Sequence, residues 1–402
     1  MSKNTHLEHL EDSILLDGKQ GVTDAFAFLD LLANTFSSKG SGSFKITTKW
    51  DGAPAIFCGT YPGTGQFFVG TKSIFNKDAK INFSDADIDT NHGHAPGLVK
   101  KLKSALKYLP SLGITGVAQG DLLFTDDKRI QTIDGVRSLT FKPNTIMYSI
   151  PHDSDDFDKA NNAKIGVVFH TTYTGNNIGS LRASFGYDVS KLNTHKDVFV
   201  ISAELNTLGK DTVLSENEKQ KLNRLKGSVG LDTKAFDFLN TIRDQITEKD
   251  ALTVGPKLKQ YFNKYVRVGK KVDPAFTSNF RKYFSQECKK AADAVKQAKT
   301  KAAKLKKLYD GENFLDDNAK SFEKVVSLYK TIQDAKEIFI EKLQQGEKFG
   351  TYLITDDGIE MTNPEGYVAI ANGTKAFKLV DRLGFSQANF KKDAVADRWV
   401  KG

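Results

Sequence analysis

The amino-acid sequence predicts an α+β protein of mainly antiparallel strands, with an all-helical module inserted among them. Three observations carry this. Residues 44–172 hold short runs of strand character with one clear helix between them, whereas a doubly wound sheet needs a helix after nearly every strand. Residues 215–346 change texture, becoming rich in Lys, Glu, Ala, Gln and Leu with apolar residues at helical spacing. From Phe349 the strand texture returns. These shifts divide the chain into 1–210, a helical module at 211–348, and a last set of strands in 349–402.

Taken in order, Thr5 is placed to cap a helix carrying Leu7, Leu10, Ile14 and Leu15, stopped by Asp17-Gly18. Thr23 is placed to cap a second, with Phe26, Leu29 and Ala33 on one face. The Ser/Gly-rich SSKGSGS at 37–43 breaks the chain. Strand runs follow at Phe44–Thr48, Ala55–Gly59, Gln66–Thr71, Ile114–Phe124, Leu139–Ile150 and Ile165–Thr172, interrupted by a helix over Leu98–Leu109. The YPGTGQ stretch at 61–66 lies between two strand runs and reads as a hairpin turn. In the module, long helices are expected over Thr277–Tyr309 and Asn318–Gln345, joined by a loop at DGENFLDD. The closing strands are GTYLIT, GYVAI and TKAFKLV.

Composition narrows the function. With 402 residues, 39% hydrophobic and 27% charged, the chain can bury a sizeable core, which excludes wholesale disorder. No apolar run approaches the roughly 18 residues of a membrane span. The N-terminal MSKNTHLEHLEDSILL carries charge where a secretory signal needs an apolar stretch, so a cytoplasmic protein is expected. Cys58 and Cys288 alone make neither a disulfide framework nor a four-cysteine zinc site. The net charge of +9 points toward a polyanionic partner. His92 and His94 in NHGHAPG have no Cys or third His nearby in sequence and are read as loop residues. The Lys-rich stretch 289–307 is a candidate grip on nucleic acid or, without interleaved aromatics, a solvated helix face.

The residues that can carry chemistry begin with Lys49-Trp50-Asp51-Gly52, where a lysine closes a strand just ahead of Asp-Gly. An amine held beside an α-phosphate is a nucleophile, and a glycine lets backbone approach a nucleotide. Downstream, in order, come Phe68-Val69-Gly70-Thr71-Lys72-Ser73, Ala118-Gln119-Gly120-Asp121-Leu122, Lys164–Tyr173 (KIGVVFHTTY), Pro364-Glu365-Gly366-Tyr367-Val368 and Thr374-Lys375-Ala376-Phe377-Lys378. In this order the segments resemble the motifs of the covalent nucleotidyltransferase superfamily, which includes ATP-dependent ligases and mRNA capping enzymes. The sequence also resembles proteins of large tailed phages that share this motif set, which implies the cytoplasm of an infected host.

The resemblance covers 1–200 and 350–402, and implies the antiparallel-sheet α+β nucleotidyltransferase fold of ligase adenylation, ATP-grasp-like in holding adenylate between sheets. It implies ATP and Mg²⁺ as cofactors, and a nucleic-acid partner, either RNA or a nicked duplex. Lys49 would attack the α-phosphorus and release pyrophosphate. AMP would then pass to a 5′-phosphate, which a 3′-hydroxyl seals. Lys378 is the second catalytic residue. Trp50, Asp51, Gly52, Lys72, Asp121, Phe169, Glu365 and Lys375 are expected to contact the nucleotide, Asp121 holding the ribose and Phe169 stacking on adenine. Glu365 is the expected metal carboxylate, since Mg²⁺ prefers one or two carboxylates plus phosphate oxygens.

The chain departs from the family pattern at Asp121, where Glu is usual, and at His170, where that strand often ends in Asp. Lys375 and Lys378 stand three apart, so in a strand only one faces the site, and Lys378 is favoured. Only 24 residues follow Lys378, too few for an OB barrel, which favours an RNA ligase over a DNA ligase. Two alternatives stand beside the ligase: an adenylyltransferase acting on a protein or small molecule, and a non-catalytic phage binding or virion protein that keeps the fold.

Overall fold

The structure is a computed structural model describing residues 8–37, 44–205, 213–228, 230–345, 349–355, 358–371 and 375–380. Thr5 and most of the Ser/Gly-rich stretch lie outside the described residues. After a 3₁₀ turn at Leu10–Asp12 comes α1 (Ser13–Thr35), then β1 (Phe44–Lys49), β2 (Ala55–Thr60), β3 (Phe67–Gly70), α2 (Asp85–His92) and α3 (Pro96–Tyr108). The chain continues through β4 (Val117–Phe124), β5 (Lys128–Ile133), β6 (Val136–Phe141), β7 (Met147–Pro151), α4 (Phe157–Asn162), β8 (Ile165–Thr174), β9 (Arg182–Phe185) and β10 (Val198–Ser202). Six helices follow: α5 (Glu216–Gly227), α6 (Thr233–Thr247), α7 (Val254–Arg267), α8 (Phe276–Asp293), α9 (Ala298–Asp317) and α10 (Ala319–Gln344). The last strands are β11 (Gly350–Thr355), β12 (Gly358–Met361), β13 (Gly366–Ala371) and β14 (Lys375–Leu379).

The strands form three sheets, ordered β1-β13-β14, β10-β8-β4-β2-β3 with β9 added to β8, and β12-β11-β7-β6-β5. Every pairing is antiparallel except β10 with β8. In the first sheet, period-2 alternation sorts the side chains. Ile46, Tyr367, Ala369 and Leu379 share one core with α1, α6, α7, α8 and α10. Thr47, Val368, Ile370 and Lys378 face the opposite way, toward the second sheet. The second sheet buries Ile56, Val69, Leu122, Val167 and Phe169 against Ile88 of α2 and Leu102 and Ala105 of α3. Its other face packs Leu123, Phe124 and Val168 on Leu139, Phe141, Tyr148 and Ile150 of the third sheet.

Several expectations are corrected. α1 runs through Thr23, whose hydroxyl donates to the Lys19 carbonyl at 3.3 Å inside the helix; the break lies at Gly18 (φ 58°, ψ −134°). The run Leu139–Ile150 is two strands with a turn between them. His92 is not a loop residue: it closes α2 and is 4% exposed. The expected helix Thr277–Tyr309 is two helices that turn back at 294–297, and DGENFLDD lies inside α9. Gly311, within that stretch, is where α9 closes onto α8: a methyl group there would collide with the Phe284 ring. α1 packs on α6 and α10, so an N-terminal segment shares the helical layer. No helix among the described residues is long and apolar enough to cross a membrane.

Candidate active site

A cavity of about 290 Å³ opens between the first and second sheets. The register of the first sheet builds its charged end. Lys49, the last residue of β1, pairs with Gly366, the first of β13. Gly366 has φ 142°, and a Cβ there would sit 2.7 Å from the Leu379 carbonyl oxygen, so glycine is required. That backbone turn sets Glu365 against Lys49, and their side chains form an ion pair, 13% and 29% exposed. Lys378 pairs with Val368 on β13 and reaches the same cavity, as does Lys72 just past β3. Residues 316 positions apart in sequence thus close one site.

Asp121 and His170 line the cavity from β4 and β8. Burial pushes the Asp121 carboxyl up to about 7, helped by the charges of Glu365 and Asp51 and opposed by Lys49. Glu365 is likewise raised, chiefly by burial, with Lys49 opposing. His170 is pushed down to about 4 by burial and then by Lys49, so its imidazole is neutral near pH 7. Its Nδ1 lies 2.8 Å from Thr171 Oγ1, and its Nε2 lies 3.6 Å from Asp121 Oδ2. A bulge places it there. Gly120 pairs with Phe169 and Gln119 with Thr171, which leaves His170 as the extra residue on β8 and turns both His170 and Thr171 toward the cavity.

Other expected contacts fall elsewhere. Phe169 is fully buried on the opposite face of the second sheet, against Tyr187 with ring centroids 5.1 Å apart, so it cannot stack on a ligand in this cavity. Asp51 is 4% exposed and does not line the cavity. Its carboxylate accepts from Asn144 Nδ2 (2.6 Å), Thr145 N (2.6 Å) and Ile146 N (2.8 Å), and its own N–H donates to Tyr148 Oη (2.7 Å). Gly52 makes its close approach to Asp121, not to a ligand, since a methyl there would collide with the Asp121 Cβ. Trp50 lines the cavity while packing on Tyr148 and Phe349. The backbone of Lys375 pairs with Ala371, and its side chain lies outside the described residues.

Asp51 therefore anchors the turn after Lys49 to the loop entering β7. Replacing Asp51 with Ala strands two buried backbone N–H groups and removes charge-assisted bonds, a change expected to cost about 3 kcal/mol. A chemical-denaturation series on wild type and Asp51→Ala checks it; a difference under about 0.5 kcal/mol would assign Asp51 no anchoring role.

The sequence did not single out Thr47, Gln119, Thr171, Tyr173 and Phe185, which complete the walls. Thr47 and Gln119 stand two residues before Lys49 and Asp121, so alternation alone put them on the same faces. Phe185 on β9 is the half-buried aromatic of the cavity, whereas Tyr173 is 4% exposed and its hydroxyl donates to Gln119 Oε1 at 2.8 Å. Among the described residues no group of three or more His, Cys, Asp or Glu side chains is arranged to hold a metal ion. The chain belongs to DUF6267, a family of unknown function whose model matches residues 4–394. No curated protein and no solved structure matches the chain.

Proposed function

We propose that this protein is an ATP-dependent nucleotidyltransferase that forms a covalent lysyl-AMP at Lys49 and serves as a polynucleotide ligase, with RNA the preferred substrate. The observation that carries the reading is the strand-end lysine paired with Glu365 inside a cavity that also holds Lys72 and Lys378. Lys49, Lys72 and Lys378 all line this cavity, and three ammonium groups suit a triphosphate, while Phe185 and Ile370 offer apolar walls to a base. In the proposed step Lys49 Nζ passes a proton to the Glu365 carboxylate and forms a bond to the α-phosphorus. The bond from that phosphorus to the bridging oxygen breaks, and pyrophosphate leaves.

The fit to Mg²⁺ rests on the carboxyls: burial is the main reason Asp121 and Glu365 are both raised, with Lys49 opposing it, and a cation bound beside them would further favour their ionised forms. A divalent ion held mainly by phosphate oxygens with Glu365 as its protein carboxylate needs no preformed protein cage, which suits Mg²⁺. Incubation with ATP and Mg²⁺, followed by intact-mass measurement under denaturing conditions, tests the reading. One AMP per chain is expected; no gain in mass across varied metal and pH overturns it.

The helical layer is the proposed polynucleotide surface. Residues 213–345 carry 28 basic and 18 acidic side chains, which accounts for the whole positive excess of the chain. Within the Lys-rich stretch, Lys301 pairs with Asp293 (2.8 Å), Lys306 with Asp310 (2.7 Å) and Lys307 with Asp250, and Lys304 Nζ donates to the Ala291 carbonyl (2.9 Å). Lys296 and Lys299 stand exposed at the turn between α8 and α9. Lys296→Glu with Lys299→Glu is expected to weaken single-stranded RNA binding severalfold and to flatten its dependence on salt, since fewer counterions are released. Superimposable filter-binding salt titrations for variant and wild type would remove the α8–α9 turn from the interface.

A further inference from the structure

We propose that His170, oriented by Thr171 and Asp121, reads a sugar hydroxyl of the bound nucleotide and makes the pocket selective for ribonucleotides. This rests on the nucleotide reading of the cavity. Strand register orders the cavity along one axis. At one end Asp121 pairs with both Ala55 and Val168 and packs on Gly52, so this end adjoins Lys49. At the other end Thr171 pairs with Gln119 and Phe185, and Tyr173 with Ala183. At roughly 3.3 Å per strand residue, the step from Val168 to Tyr173 spans about 17 Å, the reach of a phosphate, a pentose and a base laid end to end. His170 falls between the phosphate end and the base end. A pentose belongs there.

The local geometry is that of an open bridge. His170 Nε2 and Asp121 Oδ2 are 3.6 Å apart, too far for a mutual hydrogen bond. An oxygen seated beside the pair, on the cavity side, can lie about 2.8 Å from each, accepting from the imidazole N–H and donating to the carboxylate. With the Thr171 hydroxyl, 2.8 Å away, donating to Nδ1, Nε2 is the nitrogen that carries the proton, and this is the tautomer the bridge uses. The imidazole is neutral near pH 7, as the bridge requires. His170 is also the bulged residue of β8, and its carbonyl accepts from the Gly186 N–H (2.9 Å), so the backbone that aims the ring is fixed on both neighbouring strands. Asp121 is one methylene shorter than Glu, and the ring supplies the missing reach. A deoxyribose puts nothing between the two groups and leaves both unsatisfied.

The experiment compares adenylylation of the full chain by ATP, 2′-deoxy-ATP and 3′-deoxy-ATP, read as kcat/KM by mass spectrometry. Wild type is expected to prefer ATP over one deoxy analogue by about 10- to 100-fold, and the analogue that loses identifies the hydroxyl. His170→Ala is expected to bring that ratio near one. His170→Asn, whose amide can still donate, is expected to keep part of it, and guards against a folding defect in the alanine variant. A ratio unchanged in both variants, or a wild type that does not discriminate, overturns the role of His170 while leaving the nucleotide reading intact. Failure of wild type to form any adenylate with ATP overturns the nucleotide reading and this inference with it.

Discussion

Lys49→Ala is expected to reduce the covalent gain of AMP to nothing, because among the described residues no other amine lining the cavity ends a strand opposite a carboxylate. Lys49→Arg is expected to fail as completely, since a guanidinium keeps its proton and cannot attack phosphorus. Loss of a nucleophile must be separated from loss of the fold. Lys49 and Glu365 neutralise each other in a mostly enclosed site, and removing one member of such a pair leaves the other to bear the burial alone. The double variant Lys49→Ala with Glu365→Gln has no stranded charge, and is expected to melt close to wild type while remaining unable to hold AMP. Glu365→Gln alone is expected to slow adenylylation by about 10²- to 10³-fold, as removal of a proton acceptor and charge partner does elsewhere. AMP retained by Lys49→Ala after denaturation would place the nucleophile elsewhere.

Much of this site was legible in the sequence because it is built from strand ends. A lysine closing one strand and Glu-Gly opening another predict a pair once the two strands adjoin; alternation allowed only one of Lys375 and Lys378 to face the site, and Lys378 lines the cavity. Phe169 was misplaced for the same kind of reason. An aromatic on a strand that crosses the site looks available, but its parity with Val167, which is buried under α2 and α3, puts it on the far face. That His170 turns into the cavity could not be read from the sequence. It depends on a register shift between β4 and β8, and the extra residue of a bulge has no composition of its own. Asp51 shows the opposite failure: the Asp-Gly pair suggested ligand contact, while the three bonds the carboxylate accepts all come from residues 144–146, some ninety positions away. In the helical module, periodicity found helices but not their ends. Gly311 is tolerated inside α9 because Phe284 needs the space, and the real turn at 294–297 holds only Ala, Val, Lys and Gln.

Asp121→Asn is expected to make the ligand-free protein more stable than wild type at pH 8 and equally stable at pH 4. The carboxyl titrates near 7 in the folded chain against an ordinary value near 3.8. Its cause is mainly burial, with Glu365 and Asp51 adding to it and Lys49 opposing; Lys72, Lys378, the neutral His170 and the Tyr173 phenol are the other titratable groups lining the cavity among the described residues. Below about pH 4 the group is protonated in both states and folding is indifferent to it. Between 4 and 7 the unfolded chain ionises while the folded chain keeps its proton, so stability falls as pH rises. Above 7 the full penalty stands, and three units at about 1.36 kcal/mol each set it near 4 kcal/mol. Water reaching the partly open cavity makes that an upper figure. An asparagine resembles the protonated acid and carries no such term, so the two stability curves should meet in acid and diverge through neutrality. The same substitution replaces the charged acceptor of the sugar bridge with a neutral, weaker one and is expected to weaken adenylylation, so the charge that destabilises the ligand-free site is the one the nucleotide uses. Denaturation curves for the two proteins that run parallel from pH 4 to 8 would mean that Asp121 is solvated and ionised in the folded state, and the bridge to His170 would lose its carboxylate rationale.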